Sequence, residues 1–202
     1  MKILHIISSL EEKYGGPSIL LPELSLKQKE KNNEVEILTT FFNKKEIKNY
    51  SQKKIKLRFF KVFSTYRISL KLFVWLLFNL RNYDCIHVHS LYRYPCDLTI
   101  LLSLFQRKSL VFSPHGALDP YLFNKSQFKL VGLFCKKLIH LILNLPLRKS
   151  IFHFTAEDEK KVCMVGNLVS KSFIIPPMVV EMKQTINLNK NFLKDQLSLS
   201  KE

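Results

Sequence analysis

Tyr83-Asp84-Cys85-Ile86-His87-Val88-His89-Ser90 and, further along, Ser113-Pro114-His115-Gly116-Ala117-Leu118-Asp119 decide the fold. Each is a short apolar strand that runs straight into a polar turn carrying histidine. In an open parallel sheet, ligands collect outside the carboxyl ends of the strands, where the strand order reverses. Two strands that deliver histidines and a glycine to one such edge predict a small-molecule site.

On either side of these stretches, strands alternate with helices, the signature of βαβ units. The spacing predicts strands at Lys2–Ser8, Glu34–Thr40, Ile55–Phe63, Tyr83–His89, Ser109–Ser113, Ile151–Ala156 and Ser172–Ile175. Between them it predicts helices from Pro17 to about Lys31, over Ser69–Arg81 and Pro95–Gln106, from the His115–Lys125 loop to about Leu145, and over Glu157–Gly166. The expected fold class is α/β, a Rossmann-like parallel sheet with helices on both faces. Residues 1–180 form that domain, and 181–202 read as a linker or tail.

Composition fits a globular chain of 202 residues, 47% hydrophobic and 24% charged. The formal charge of +16 comes from 32 Lys and Arg against 16 acids. Such a field favours anionic partners: nucleotide phosphates, nucleic acid or acidic membranes. The plainer alternative is a set of solvated lysines. Nucleic acid is set aside, because the lysines are scattered and no helix-turn-helix, RNA-recognition or zinc-finger pattern occurs. Cys85, Cys96, Cys135 and Cys163 form no CxxC pair, which fits reduced thiols and a cytoplasmic location. The run Met1–Ile7 is too short for a signal peptide. No segment reaches the roughly 18 to 20 apolar residues of a membrane span.

Gly15-Gly16-Pro17-Ser18 precedes a helix, where small residues let backbone amides approach an anion. It is not GxGxxG, so a dinucleotide fingerprint is excluded; an ordinary turn is the alternative. Cys85, His87 and His89 alternate on one strand face, but Cys85 and His89 are too far apart along it to share an ion, so no metal is expected. His115 follows Pro114 and precedes Gly116, so its ring can face a pocket and donate to a hydroxyl or phosphate, or accept a proton. Ser113, His115 and Asp119 lack a nucleophile elbow and make no hydrolase triad. Ser8, Ser9, Ser90, Arg93 and Glu157 join the cleft on strand-end position alone. The helix within Phe128–Leu147 carries a narrow basic stripe. It reads either as a core helix with one solvated face or as a helix resting on an anionic membrane surface.

Taken together, Gly15-Gly16-Pro17-Ser18, the Tyr83–Ser90 strand and Ser113-Pro114-His115-Gly116-Ala117-Leu118-Asp119-Pro120 resemble the amino-terminal, acceptor-side half of family 4 glycosyltransferases of the GT-B fold. Phe152–Glu159 resembles the stretch where that lobe reaches its last strands. The resemblance implies transfer of a sugar from a nucleotide-sugar, the co-substrate, with no further cofactor and no metal. It places Gly15 and Gly16 against donor phosphates and sugar, and His115, the expected catalytic residue, on the transferred sugar. Ser90, Arg93, Gly116, Asp119 and Glu157 are the expected substrate contacts. Acceptors in that family are polysaccharide or lipid-linked saccharide intermediates at the inner membrane face, which implies cytoplasmic residence with peripheral membrane contact.

Two features depart from the family pattern. Ile175-Pro176-Pro177-Met178-Val179 lacks the expected glycine, and the donor lobe with its paired glutamates (Glu-x7-Glu) is absent from these 202 residues. The resemblance therefore implies a lobe completed by a separate donor-domain chain. The alternatives are a non-catalytic module for anionic glycan or membrane surfaces and an inactive truncated remnant.

Overall fold

The computed structural model describes residues 1–43, 55–121, 131–163 and 171–176, with the backbone alone at 12 and 131–136. In chain order it contains β1 (Lys2–Ile7), α1 (Gly16–Glu30), β2 (Glu34–Phe41), β3 (Lys56–Lys61) and α2 (Leu70–Asn79). There follow β4 (Cys85–His89), α3 (Tyr94–Phe105), β5 (Leu110–Ser113), α4 (Val131–Arg148), β6 (Ile151–Phe154), α5 (Glu157–Val162) and β7 (Ser172–Ile174). Every expected strand and helix is present, with ends shifted by a few residues where helices fray and strands lose partners. The expected extension of α5 to Gly166, the 122–130 loop and the 181–202 tail lie outside the described residues.

All pairings are parallel, and the seven strands lie in the order β3-β2-β1-β4-β5-β6-β7. Strand order reverses between β1 and β4, which pair directly in the register Leu4↔Ile86 and His5↔His87. This is the Rossmann-like arrangement the alternation predicts, and it puts the switch point between the first and fourth strands.

The pleat separates two chemistries. Leu4, Ile6, Leu38, Ile86, Val88, Phe112, Phe152 and Phe154 fill one face and pack with Leu72 and Leu76 of α2, Cys96 and Ile100 of α3 and Leu143 and Leu147 of α4. The opposite face places Ile7 and Ile37 with Leu21 of α1. Toward β4, β5 and β6, the positions in phase with Ile7 carry His5, His87, His89, Ser113 and His153 instead of aliphatic residues. A buried parallel strand is normally a continuous hydrophobic run, so this polar seam needs an internal account of its hydrogen bonds.

On the β2 side, Glu36 is buried among Arg58 (2.5 Å), Lys56 (2.9 Å) and the Tyr83 hydroxyl (2.7 Å). Burial works against its charge, but those three partners prevail and hold its carboxyl below the usual range.

The amphipathic segment departs from the core-helix reading. Leu143 and Leu147 are buried, yet Leu138, Leu141, Ile142 and Leu145 of α4 face outward, as do Leu70, Val74, Leu77 and Phe78 of α2.

Candidate functional site

The carboxyl ends of β4 and β5 turn sharply. Ser90 (φ 72°), Tyr92 (61°), His115 (49°) and Gly116 (76°) all occupy the left-handed region. Histidine tolerates that conformation better than β-branched residues, and Gly116 has no Cβ to oppose it. The His115 turn is held by Ala117 N–H to Pro114 O (3.0 Å) and Asp119 N–H to Gly116 O (3.0 Å). Gly116 N–H also donates to Glu159 Oε1 (3.0 Å). Glu159 Oε2 accepts from the Thr155 amide and hydroxyl, both at 2.8 Å, so α5 is anchored to the end of β6 and to the histidine turn at once.

Five imidazoles converge behind this turn. His5 Nδ1 lies 3.0 Å from His89 Nε2, and His89 Nδ1 lies 3.1 Å from His115 Nε2. His5 Nε2 reaches Gln28 Oε1 at 2.7 Å. In a second series, His87 Nε2 meets Ser113 Oγ (2.7 Å), Ser113 Oγ meets His153 Nδ1 (2.8 Å), and His153 Nε2 meets the Ile175 carbonyl (3.1 Å). The His89 and His115 rings stack at 5.4 Å with planes 12° apart.

Burial pulls the pKa of His5 down to about 4, against the hydrogen bond it donates to Gln28. Burial likewise takes His115 to about 4, with the Glu159 charge opposing it. His87 and His89 are pushed well below the ordinary value, first by burial and then by neighbouring rings. His5, His87, His89 and His115 are therefore neutral at pH 7. Their rings act through oriented lone pairs and N–H groups, not through charge.

A cleft of about 390 Å³ opens in front of His89 and His115, bounded by Ser8, Ser9, Tyr14 and Pro17 on one side and Ser90, Tyr92 and Arg93 on the other. A more apolar recess of about 250 Å³ adjoins it, between Leu20, Leu21 and Leu24 of α1 and His153, Thr155 and Ile175. Both share Pro17, His89 and His115. Beneath the cleft wall, Asp97 accepts from the Tyr66 hydroxyl (2.5 Å) and the Tyr92 amide (2.9 Å), and burial raises its pKa to about 7 despite those bonds.

Of the residues expected at the site, His115, Ser90 and Arg93 border the cleft, with Ser8 and Ser9. Gly116 and Asp119 build the His115 turn rather than its wall; Asp119 Oδ1 accepts from the Tyr121 amide (2.7 Å). Glu157 is exposed in the first turn of α5, and the glutamate that reaches the histidine turn is Glu159. Gly15 (φ 97°, ψ −167°) caps α1, a backbone state essentially restricted to glycine. In the first turn, Pro17 has no amide and the Ser18 amide bonds Gly15 O (3.1 Å), which leaves few donors for an anion.

We expect Gly15→Ala to cost about 1–3 kcal/mol in urea unfolding, from backbone strain alone. Gly16→Ala meets nothing nearer than Leu20 Cδ1 at 4.0 Å and is expected to fold at least as stably as the parent. A loss of ligand binding in that second variant would then report close backbone approach.

His5, His87 and His89 offer nitrogens that all lie within 4.8 Å of one another, a spacing that could hold a metal ion. Two of those rings are hydrogen-bonded to each other, and a shared ion would have to replace that bond. The Cys85 thiol is not part of the group; the third imidazole comes from β1, across the sheet.

Comparison with protein-family models and with curated proteins finds no match. Solved structures do match. Anabaena Alr3699/HepE in complex with UDP is similar at a TM-score of 0.60 and 15% identity, over 98% of this chain and 50% of that one. UDP-GlcNAc 2-epimerase from Neisseria meningitidis bound to UDP-GlcNAc gives 0.61 and 16%, over 98% and 54%. MurG from Acinetobacter baumannii gives 0.52 and 8%, over 88% and 46%. The chain spans about half the length of these structures. Its fold is a Rossmann-like parallel α/β layer of the GT-B type, corresponding to one half of such a molecule.

Proposed function

We propose that the chain is the acceptor-side lobe of a sugar-nucleotide-dependent glycosyltransferase resembling family 4. The observation that carries the reading is the cleft at the β1/β4 switch point, walled by the His115 turn and by the loop that leads into α1. Support also comes from the fold shared with proteins whose structures hold UDP, or UDP-GlcNAc, at low sequence identity. In this reading His115 contacts the transferred sugar and Ser90 and Arg93 line the approach. The Gly15–Gly16 turn packs against the donor, and no metal takes part. Leaving-group charge is then stabilised by oriented donors, including basic groups at the rim such as Arg93.

Calorimetric titration with UDP-, GDP- and ADP-sugars tests the reading. Binding tighter than about 1 mM, weakened about tenfold by His115→Ala, is expected. Absence of binding across the panel overturns a donor site built by this chain.

Peripheral contact with an anionic bilayer belongs to the same proposal. α3 packs between α2 and α4. The outer surface of α2 and α4 carries Leu70, Val74, Phe78, Leu141, Ile142 and Leu145, with Lys71, Arg81, Lys137 and Arg148 around them. Apolar groups rimmed by cations suit an acidic lipid surface. Among the described residues no helix is long and apolar enough to cross a membrane. We expect cosedimentation with phosphatidylglycerol-containing vesicles and not with pure phosphatidylcholine. The binding should be lost in about 1 M salt and in a Leu141→Glu/Ile142→Glu variant. Retention of binding by that variant overturns the assignment of this face.

A further inference from the structure

We propose that Gln28, acting through His5 and His89, fixes His115 in the tautomer protonated on Nε2, so that its Nδ1 lone pair receives a hydroxyl of the sugar and not a phosphate oxygen. The hydroxyl assignment rests on the function proposed above; the tautomer assignment does not.

An amide oxygen only accepts, so His5 Nε2 must donate to Gln28 Oε1. A neutral imidazole has one N–H, which leaves His5 Nδ1 as a lone pair. The 3.0 Å contact then requires His89 Nε2–H to donate to His5. His89 Nδ1 is thereby a lone pair, and at 3.1 Å it must receive His115 Nε2–H. The direction set at Gln28 passes through three rings and ends with His115 Nδ1 bare.

A second series runs beside it: the Ile175 carbonyl accepts from His153 Nε2–H, and Ser113 Oγ lies between His153 Nδ1 and His87 Nε2. His5 and His89 are kept neutral by their burial, at 0% and 3% exposed. Glu159 is the carboxylate beside His115, but its oxygens are taken by Gly116 and Thr155. It does not compete for the ring.

A bare imidazole nitrogen repels the lone pairs of a phosphate oxygen and attracts an O–H. The chain thus sorts the two halves of a nucleotide-sugar. Gln28, at the carboxyl-terminal end of α1 and not among the cleft-lining residues, is a positioning residue for this choice, as are His5 and His89.

Proton-detected nitrogen NMR of the full chain with ¹⁵N-labelled histidine tests the proposal without any ligand. The expected result at pH 7.5 is His5, His89 and His115 all protonated on Nε2. Gln28→Glu keeps an acceptor and retains that pattern. Gln28→Lys places a donor at the partly buried head of the chain and should invert all three rings, leaving His115 protonated on Nδ1. Wild-type His115 protonated on Nδ1 overturns the proposal, and so does inversion confined to His5. Titration with UDP and with UDP-glucose then reads the hydroxyl half. His115→Ala is expected to weaken UDP-glucose about tenfold and UDP little; equal losses overturn the hydroxyl assignment. Failure of both ligands to bind the wild type rejects a uridine-nucleotide donor site built by this chain alone, and the tautomer result stands apart from it.

Discussion

Stability is expected to fall steeply as pH drops from 6.5 toward 4. The unfolded chain takes protons on its histidines near 6.5, whereas the folded protein holds His5 and His115 neutral to about 4, and burial likewise pushes His87 and His89 well below their ordinary value. Between those values the unfolded state binds more protons, so unfolding free energy rises with pH across the window. For wholly buried His5 the displacement corresponds to roughly 3 kcal/mol, at about 1.4 kcal/mol per pKa unit. His115, partly open to the cleft, contributes less. Asp97 works in the opposite direction: its carboxyl is raised to about 7, so the folded state holds an extra proton that the unfolded state has released. Four histidines against one aspartate leave a net uptake of protons on unfolding across this window, enough to consume much of an ordinary domain's stability. Urea unfolding at half-unit pH steps measures this slope. His5→Phe should lower it by about one proton whatever it does to absolute stability. A flat profile between pH 6.5 and 4.5 would mean that the seam is hydrated and its rings are not neutral by burial.

Arg67→Ala is expected to destabilise the fold by about 3–5 kcal/mol, the sum of lost charged hydrogen bonds and a new cavity. Arg67 is 2% exposed. Its Nη1 donates to Ser8 O (3.0 Å), Thr40 O (3.2 Å) and Thr40 Oγ1 (3.0 Å). These are carbonyls and a hydroxyl at the carboxyl ends of β1 and β2, where the ladder stops supplying partners. The guanidinium also lies over the rings of Phe42 and Tyr14, 4.7 and 5.0 Å from their centroids. Truncation would take a donor from the Ser8 and Thr40 carbonyls, leaving Ser8 O to the Thr40 hydroxyl (2.6 Å), and would loosen Tyr14, which borders the cleft. Arg67→Lys keeps the charge but not the planar fork, so most of the loss should remain. Denaturant midpoints of both variants decide the matter; a loss under about 1 kcal/mol for alanine would show that water replaces the clip.

The layer architecture was legible because short, mostly apolar strands alternate with helices and end in turn signals, as at Gly15 before α1. The His115 turn was legible for the same reason: Pro-His-Gly after an apolar run fixes where the ring must go. What surrounds that ring was not. His5 sits mid-strand with no turn beside it, and meets His87 and His89 only because β1 pairs with β4 across some eighty residues of chain. Gln28 looks like one more polar residue near a helix end. Glu157 was chosen for its place just after β6. Two residues of helix turn a side chain by about 200°, so it is Glu159 that returns to the His115 turn. The outward apolar residues of α4 were legible beside a narrow basic stripe, but a pattern alone does not say which side meets the sheet.

The order of the strands also governs when the molecule becomes whole. The central pair joins Leu4 to Ile86, and the Lys2 amide is tied to Asp84, 82 residues away in the chain. Such distant partners must pay loop-closure entropy before any contact rewards them, which slows folding. On a ribosome, β1 and β2 can pair early, but the histidine seam waits for His153 and then for the Ile175 carbonyl. The imidazoles are thus among the last groups to find their partners, and their signals would time the final step of folding.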